Sequence, residues 1–169
     1  SPLTYPERLQ AVVSLFKKAG AKPEDIVLQD VGRGQKNVTV VKKGRTDRVI
    51  VVGSHHDKAD VGHGTIDNWT GATMAANLYQ AMRDMDTEAT YVFASFAREE
   101  DGLIGSAKYL QSLTEAQRKK IDAMVNLDTL AVDGTFSWQN NSDKVLLDLI
   151  KKVAAQEKLD HQPARLWGG

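Results

Sequence analysis

The chain has 169 residues, of which 41% are hydrophobic and 26% charged, a balance typical of soluble globular proteins. Its 22 basic and 22 acidic side chains cancel, so its charge gives no reason to expect nucleic acid or an anionic membrane as a partner. Cysteine is absent, which excludes disulfides, thiolate nucleophiles and cysteine-ligated zinc. The longest apolar runs, such as 49–52, are too short to span a bilayer.

Helical and strand patterns alternate along the chain. Thr4 and Glu7 form a capping box for an amphipathic helix that ends near Gly20. Further helices are predicted at 71–85 and at 143–158. Between them, one helix begins at Gly105, and another, capped by Ser112 or Thr114, runs to Lys120. Short apolar runs predict strands at 26–28, 38–41, 48–53, 91–96 and 123–127. This alternation predicts one α/β domain over 1–169 with a central sheet.

Polar side chains follow three of these strands. His55 and Asp57 come after the strand at 48–53, and the Glu99–Glu100 pair and Asp128 come after the next two. In open α/β sheets, functional groups gather beyond the carboxyl ends of the strands. The ordered set therefore predicts a shared site, although any one of these residues alone would be weak evidence.

The types of these residues suit a centre of two divalent metals. Such a centre needs a bridging carboxylate, and Asp67 is suited to that role because it lies in a glycine-rich turn before a helix. Glu100 would bind metal while Glu99 acts as the general base. Asp57 is placed to accept the second imidazole N–H of His55 and so to orient it. Imidazole and carboxylate ligands favour zinc, with cobalt or manganese as substitutes.

Four segments carry a resemblance to a known family: 53–57 (GSHHD), 64–71 (GTIDNWTG), 96–106 (FAREEDGLIGS) and 125–128 (VNLD). Over residues 48–130 the chain resembles the co-catalytic zinc aminopeptidases of bacterial leucyl aminopeptidase type, whose relatives include glutamate carboxypeptidase and glutaminyl cyclase. The resemblance implies a three-layer sandwich with a central, mostly parallel mixed sheet flanked by helices. It also implies hydrolysis of N-terminal peptide bonds of a peptide substrate.

The resemblance further implies a role for each site residue. His55 and Asp128 would hold one zinc, Glu100 the other, Asp67 would bridge the two, and Glu99 would be the base. The family takes its last zinc ligand from a histidine in a Ser-Asp-His-like segment near the C-terminus, after a glycine-rich stretch such as 168–169. We therefore expect the domain to be incomplete at its C-terminus. This chain would then hold one zinc or none and be inactive alone, unless His161 or another chain supplies the ligand.

Two histidines and one tryptophan lie in or beside these motifs: His56, His63 and Trp69. Trp69 stands where many relatives carry a small residue and could narrow the substrate pocket. His63 lies in a glycine-flanked loop and either contacts substrate or belongs to a surface loop. The side chain of His56 should point away from that of His55, so we expect it at a pocket wall or on the surface.

Two alternative functions keep the same fold. One is glutaminyl cyclase-type acyl transfer on N-terminal glutamine, which suits a chain with a single metal. The other is a non-catalytic scaffold domain. The start at Ser1-Pro2 suggests a processed or truncated N-terminus, and with the absence of cysteine it fits a secreted or periplasmic protein, with a cytoplasmic one left open. A sheet edge left unpaired would favour a homo-oligomer.

Overall fold

The computed structural model describes residues 4–130 and 134–165, and the chain divides into two compact units, 1–130 and 131–169. The described residues of the first unit form five strands and four α-helices, and those of the second form two strands and one α-helix. The prediction of one catalytic domain stays a prediction. No helix within the described residues is long and apolar enough to cross a membrane.

The first unit is built on a five-stranded sheet in the order β1-β2-β4-β3-β5. Its strands are β1 Ile26–Gly32, β2 Gln35–Lys42, β3 Val49–His55, β4 Thr90–Phe96 and β5 Ile121–Asn126. β3 pairs in parallel with both β4 and β5, whereas β2 pairs antiparallel with β1 and β4. The sheet is therefore mixed, and its parallel part aligns the carboxyl ends of the three strands that precede the predicted site.

Helices cover both faces of this sheet. They are α1 Tyr5–Lys18, α2 Gly71–Met82, α3 Ile104–Ser112 and α4 Glu115–Arg118. One apolar cluster joins α1 and α2 to side chains such as Val52 and Phe93. A second cluster, on the opposite face, joins Val51 and its neighbours to Tyr109 of α3. Adjacent residues of β3 thus serve opposite faces, as the two-residue period of a strand requires.

Local sequence explains how α1 and α2 begin and pack. The Thr4–Glu7 capping box is formed, and the chain leaves α1 through Gly20 at a φ of +96°. In α2 the buried face consists largely of Ala72, Ala75 and Ala76, which let the helix approach the sheet closely. This contact depends on small volume rather than on large apolar side chains.

The α/β class and the sheet flanked by helices are confirmed. β1 and β2 extend beyond the predicted strands, because their polar residues alternate with apolar ones and hide the pattern. The helix predicted at 71–85 ends at Met82. Thr114 provides the cap of α4, while Ser112 ends α3 and donates to Tyr109 O.

The second unit contains a two-stranded parallel sheet and one helix. β6 Thr135–Trp138 pairs with β7 His161–Ala164, and α5 Lys144–Gln156 lies between them in the chain. Asp143 caps α5 by accepting hydrogen bonds from the backbone N–H groups of the next turn. The two strands were not predicted, since each has only four residues and β7 shows no apolar alternation.

Phe93 is expected to dominate the stability of the first unit. Its ring is fully buried and lies 5.6 Å from that of Tyr79, edge to face. Phe93→Ala should lower the free energy of unfolding by about 3–5 kcal/mol because it leaves a cavity in the core. Urea unfolding measures this loss. Val27→Ala, at a side chain that is 54% exposed, is the control and should cost less than about 1 kcal/mol; a comparable loss there would contradict the assignment.

Candidate metal centre

The site forms where the parallel strands end. His55 is the last residue of β3, the Glu99–Glu100 pair follows β4, and Asp128 follows β5. Because β3 lies between β4 and β5, these three loops meet beside the same imidazole. Asp67 comes from the irregular helical turn Thr65–Thr70 that leads into α2.

One imidazole nitrogen faces three carboxylates. The Asp67 Oδ1 atom lies nearest to His55 Nε2, at 3.1 Å. Asp128 Oδ1 and Glu99 Oε2 follow at 3.6 and 3.7 Å. An imidazole offers only one N–H at this nitrogen, so three carboxylate oxygens converge on a point where a single proton is available to them.

Asp57 lies on the other side of the same imidazole. Its Oδ1 is 3.5 Å from His55 Nδ1, longer than an ordinary hydrogen bond, and its Oδ2 accepts a hydrogen bond of 3.1 Å from the backbone N–H of Glu100. Asp57 is also almost completely buried. One carboxylate thereby connects the loop after β3 to the loop after β4.

Two overlapping groups of side chains could hold a metal ion. The first is His55 with Asp67 and Asp128, and the second is His55 with Glu99 and Glu100. Within each group the ligand atoms lie within 4.8 Å of one another. Glu100 is further fixed because its Oε1 accepts a hydrogen bond of 3.1 Å from the backbone N–H of Ala59.

Asn68 holds the Asp67 turn against the Asp128 loop, a role that the sequence analysis did not predict. Its buried side chain donates to Leu127 O at 2.8 Å and accepts from the backbone N–H of Gly71 and of Thr129. The peptide bond between Asp67 and Asn68 is cis. A polar residue directly after the predicted bridging ligand was the only signal available, and many exposed turns share it.

Electrostatics set the protonation of the site. Burial lowers the pKa of His55, but Asp128, Asp57 and Glu99 outweigh it and raise the pKa to about 10. Burial raises the pKa of Glu99, and neighbouring carboxylates such as Asp128 and Glu100 raise it further against the opposing effect of His55. Burial also raises the pKa of Glu100. Glu99 and Glu100 therefore hold a proton more readily than exposed glutamates do, and the imidazole of His55 is stabilised in its protonated form.

Asp57 behaves differently from these carboxylates. Burial raises its pKa, but the neighbouring imidazole of His55 and the backbone N–H groups of Glu99 and Glu100 outweigh that effect, so its pKa lies below the usual range. A carboxylate that stays ionised behind an imidazole keeps the opposite ring nitrogen free to act as a ligand.

These residues fit a divalent cation. A cation among Asp67, Asp128 and His55 Nε2 would supply the positive charge that the converging oxygens lack. The donors are imidazole nitrogen and carboxylate oxygen without thiolate, a set that zinc accepts. Of the histidines in the described residues 4–130, only His55 belongs to either group.

The other predicted contact residues lie apart from the ligand atoms. Ala59, residues 61–67 and Glu100 line an exposed cleft, and His63 is one of these residues. Trp69 is half-buried and packs against the core beside α1. The expectation for His56 was wrong, since its ring is fully buried, lies 3.1 Å from Ser95 Oγ through Nδ1 and touches the ring of Tyr5.

His161 lies in the second unit. Its Nε2 is 2.9 Å from Ser137 Oγ, across the pair of strands β6 and β7. This contact gives the imidazole of His161 a hydrogen-bonding partner within its own unit. Ligation of a metal by His161 stays a prediction.

Residues 37–165 match the sequence profile of peptidase family M28. The chain belongs to this family. The match includes every one of the predicted ligands and the predicted base. It begins after α1 and β1, which the structure adds to the unit that holds the site.

Named relatives of this M28 chain are aminopeptidases. An aminopeptidase of Pseudomonas aeruginosa is 29% identical over 133 residues, which are 78% of this chain and 25% of the relative. Leucine aminopeptidase 2 of Trichophyton rubrum is 27% identical over 143 residues, covering 78% of this chain and 29% of the relative. The M28 chain thus spans between a quarter and a third of the length of these proteins.

Solved structures share the fold. The zinc aminopeptidase of Bacillus subtilis superposes with a TM-score of 0.70 at 20% identity, over 79% of this chain and 35% of the other. The glutaminyl cyclase of an Acidobacteriales bacterium gives a TM-score of 0.75 at 18% identity, over 98% of this chain and 66% of the other. At these identities the likeness establishes the fold.

Acid should destabilise the fold through His56. Burial lowers the pKa of this residue to about 4, from 6.5 in the unfolded chain, so the unfolded state takes up the proton first. The resulting stability is complete above pH 6.5 and is lost as the pH falls towards 4. In metal-free protein, wild type should therefore lose about 2–3 kcal/mol more between pH 7 and pH 4 than His56→Asn does.

Urea unfolding at a series of pH values measures the difference. The remaining site residues are common to both proteins, so their contributions cancel. His63→Asn, at an exposed loop position, is the matched control and should follow the wild-type curve. Parallel curves for wild type and His56→Asn would show that His56 is not buried in its neutral form.

Asn68→Ala should loosen the site. It removes the hydrogen bonds that join the Asp67 turn to the Leu127–Thr129 segment and leaves backbone groups unpaired, which should cost about 2–3 kcal/mol of stability. Zinc affinity, measured by competition with a chromophoric chelator, should fall about tenfold or more. Thr73→Ala, which removes one hydrogen bond from α2 to Trp69 O and leaves the Asn68 hydrogen bonds in place, is the control and should leave the affinity unchanged.

Proposed function

We propose that this M28 chain forms the larger part of a zinc aminopeptidase centre, which hydrolyses the N-terminal bond of a peptide. The observation that supports it most directly is the convergence of Asp67, Asp128 and Glu99 on one nitrogen of a buried histidine, with Asp57 behind the ring. The aminopeptidase names of its sequence relatives support the same reaction.

In this proposal His55, Asp67 and Asp128 hold one zinc ion, and Asp67 with Glu100 contributes to a second. When bound, zinc supplies a Lewis acid that polarises the scissile carbonyl and lowers the pKa of a coordinated water. Asp57 holds the imidazole of His55 with Nε2 directed towards Asp67 and Asp128. The second ion would need a histidine in addition to the described residues of the first unit.

Glu99 is the proposed general base. Its side chain is partly buried. Its Oε2 atom faces His55 Nε2, as the two aspartates do, but lies farther from that nitrogen than they do. A carboxylate whose pKa is raised by burial holds a proton more readily, which suits a group that accepts one from the attacking water and returns it to the leaving amine.

The peptide would lie in the open cleft beside the site. Ala59, residues 61–67 and Glu100 line it, and its volume is about 410 Å³, within the range of small-molecule pockets. Val61 and Ile66 present apolar side chains there. Asp67 and Glu100, which are themselves proposed metal ligands, line the same cleft. His63 is a proposed substrate contact because it lines the same cleft, and Trp69 would act through the turn that carries Asp67.

Metal content and turnover test the proposal together. Zinc is measured by elemental analysis after dialysis, and turnover by release of nitroaniline from aminoacyl-nitroanilides. We expect the wild-type chain to contain zinc and His55→Ala to contain none. Absence of zinc from the wild-type chain would contradict the proposal. Release of ammonia from an N-terminal glutamine peptide, without peptide cleavage, would favour the glutaminyl cyclase reaction instead. Bound zinc with neither reaction would indicate either a site that lacks the histidine of the second ion or a scaffold domain, and turnover in a longer chain that supplies this histidine would exclude the scaffold.

Glu99→Gln separates binding from catalysis. The amide cannot accept a proton, so kcat should fall by about a hundredfold to ten-thousandfold while the zinc content stays at the wild-type level. Glu24→Gln, at an exposed glutamate outside the site, is the control and should keep full turnover. Wild-type kcat in Glu99→Gln would remove Glu99 from the mechanism.

A further inference from the structure

Arg8 is a charged residue on the apolar face of α1. It precedes Val12 and Phe16 at intervals of four residues, so the three side chains lie along one side of the helix. All three are completely buried. A guanidinium is rarely buried without specific partners, because removing its charge from water is costly.

Its partners belong to the two segments that carry the proposed metal ligands. Arg8 Nε donates to His56 O, and Nη2 donates to Asp57 O at 3.4 Å. The same Nη2 donates to Gly64 O at 3.0 Å, and Nη1 donates to His63 O at 3.3 Å. One planar group therefore bridges the backbone directly after His55 and the backbone that enters the Asp67 turn.

The guanidinium is also held from its flat side. Its central carbon lies 5.2 Å from the centre of the Trp69 ring, a cation–π contact. Trp69 follows Asp67 by two residues in the same turn. Edge contacts to four carbonyls and a face contact to an indole together fix the position of Arg8 relative to both segments.

We propose that Arg8 is a positioning residue for the metal centre, which sets the separation between the His55–Asp57 segment and the Gly64–Asp67 turn. This inference rests on the proposed function, since the separation matters most for the 3.1 Å approach of Asp67 Oδ1 to His55 Nε2. Arg8 touches neither substrate nor metal in this proposal. It acts only through the backbone of the residues that do.

The chemistry of arginine suits this role. Its fork presents five N–H donors in one plane and keeps its charge at any physiological pH. A lysine ammonium retains the charge but cannot reach carbonyls on two segments with the same fixed geometry. The positive charge also lies near Asp57, Asp67 and Glu100, whose mutual repulsion it reduces.

Tyr5 provides a matched control on the same helix. Its hydroxyl donates to Lys36 O at 3.2 Å, which ties α1 to β2 rather than to the ligand segments. Tyr5→Phe keeps the ring against His56 and removes two hydrogen bonds of α1, the one that the hydroxyl donates to Lys36 O and the one that it accepts from the Lys36 backbone N–H. It therefore tests whether any weakening of the helix attachment is enough to disturb the site.

The test uses Arg8→Lys and Arg8→Gln beside Tyr5→Phe in the 169-residue chain. Zinc dissociation constants are measured by chelator competition, the cobalt(II) absorption spectrum is recorded, and amide hydrogen exchange is followed in metal-free protein. We expect Arg8→Lys to weaken zinc binding about tenfold or more, to alter the cobalt spectrum, and to speed exchange only within 56–69. Tyr5→Phe should stay within about twofold of wild type.

Wild-type zinc affinity and wild-type exchange within 56–69 in either folded Arg8 variant would overturn the inference. So would a uniform rise in exchange along the chain, or failure of both variants to fold, because either would give Arg8 a general structural role. A wild-type chain that binds no zinc would contradict the proposed function instead. Faster exchange confined to 56–69 in metal-free Arg8→Lys would then still support the positioning role.

Discussion

Mutual repulsion among carboxylates is the constraint on which the rest of this structure depends. Asp57, Asp67, Glu99, Glu100 and Asp128 lie around one imidazole, and the fold must hold them there. Three parallel strand ends deliver five of the six groups, counting the histidine, to the same edge, and the turn before α2 delivers Asp67. Buried hydrogen bonds, rather than apolar contacts, then fix the loops that the repulsion would otherwise separate.

Those hydrogen bonds form a connected set. Asp57 joins the loop after β3 to the loop after β4, and Asn68 joins the Asp67 turn to the loop after β5. Arg8 joins the first of these loops to the turn from the side of α1. Each connection uses one buried polar side chain and backbone partners, so these residues organise the site from the side that faces the core and leave its other side open.

The strength of the sequence evidence differs among these parts. His55, Glu99, Glu100 and Asp128 were predicted as site residues because each follows an apolar strand, where the topology of α/β sheets gives polar residues a common destination. Asp67 was predicted from its glycine-rich turn before a helix. His56 was placed wrongly because a strand alternates its side chains between two faces, and here the second face is covered by α1 rather than open to solvent. Arg8 and Asn68 act on backbone atoms of distant segments, and such pairings leave no periodic or spacing signal.

The dispersal of the ligands along the chain gives the metal a second effect. His55 and Asp128 are 73 positions apart in sequence and meet only when β3 and β5 are paired. An unfolded chain cannot present this combination, so zinc would bind the native state almost alone and stabilise it by mass action. The lifetime of the protein would then follow the zinc supply of its surroundings, and scarcity of the metal would remove the protein itself as well as its activity.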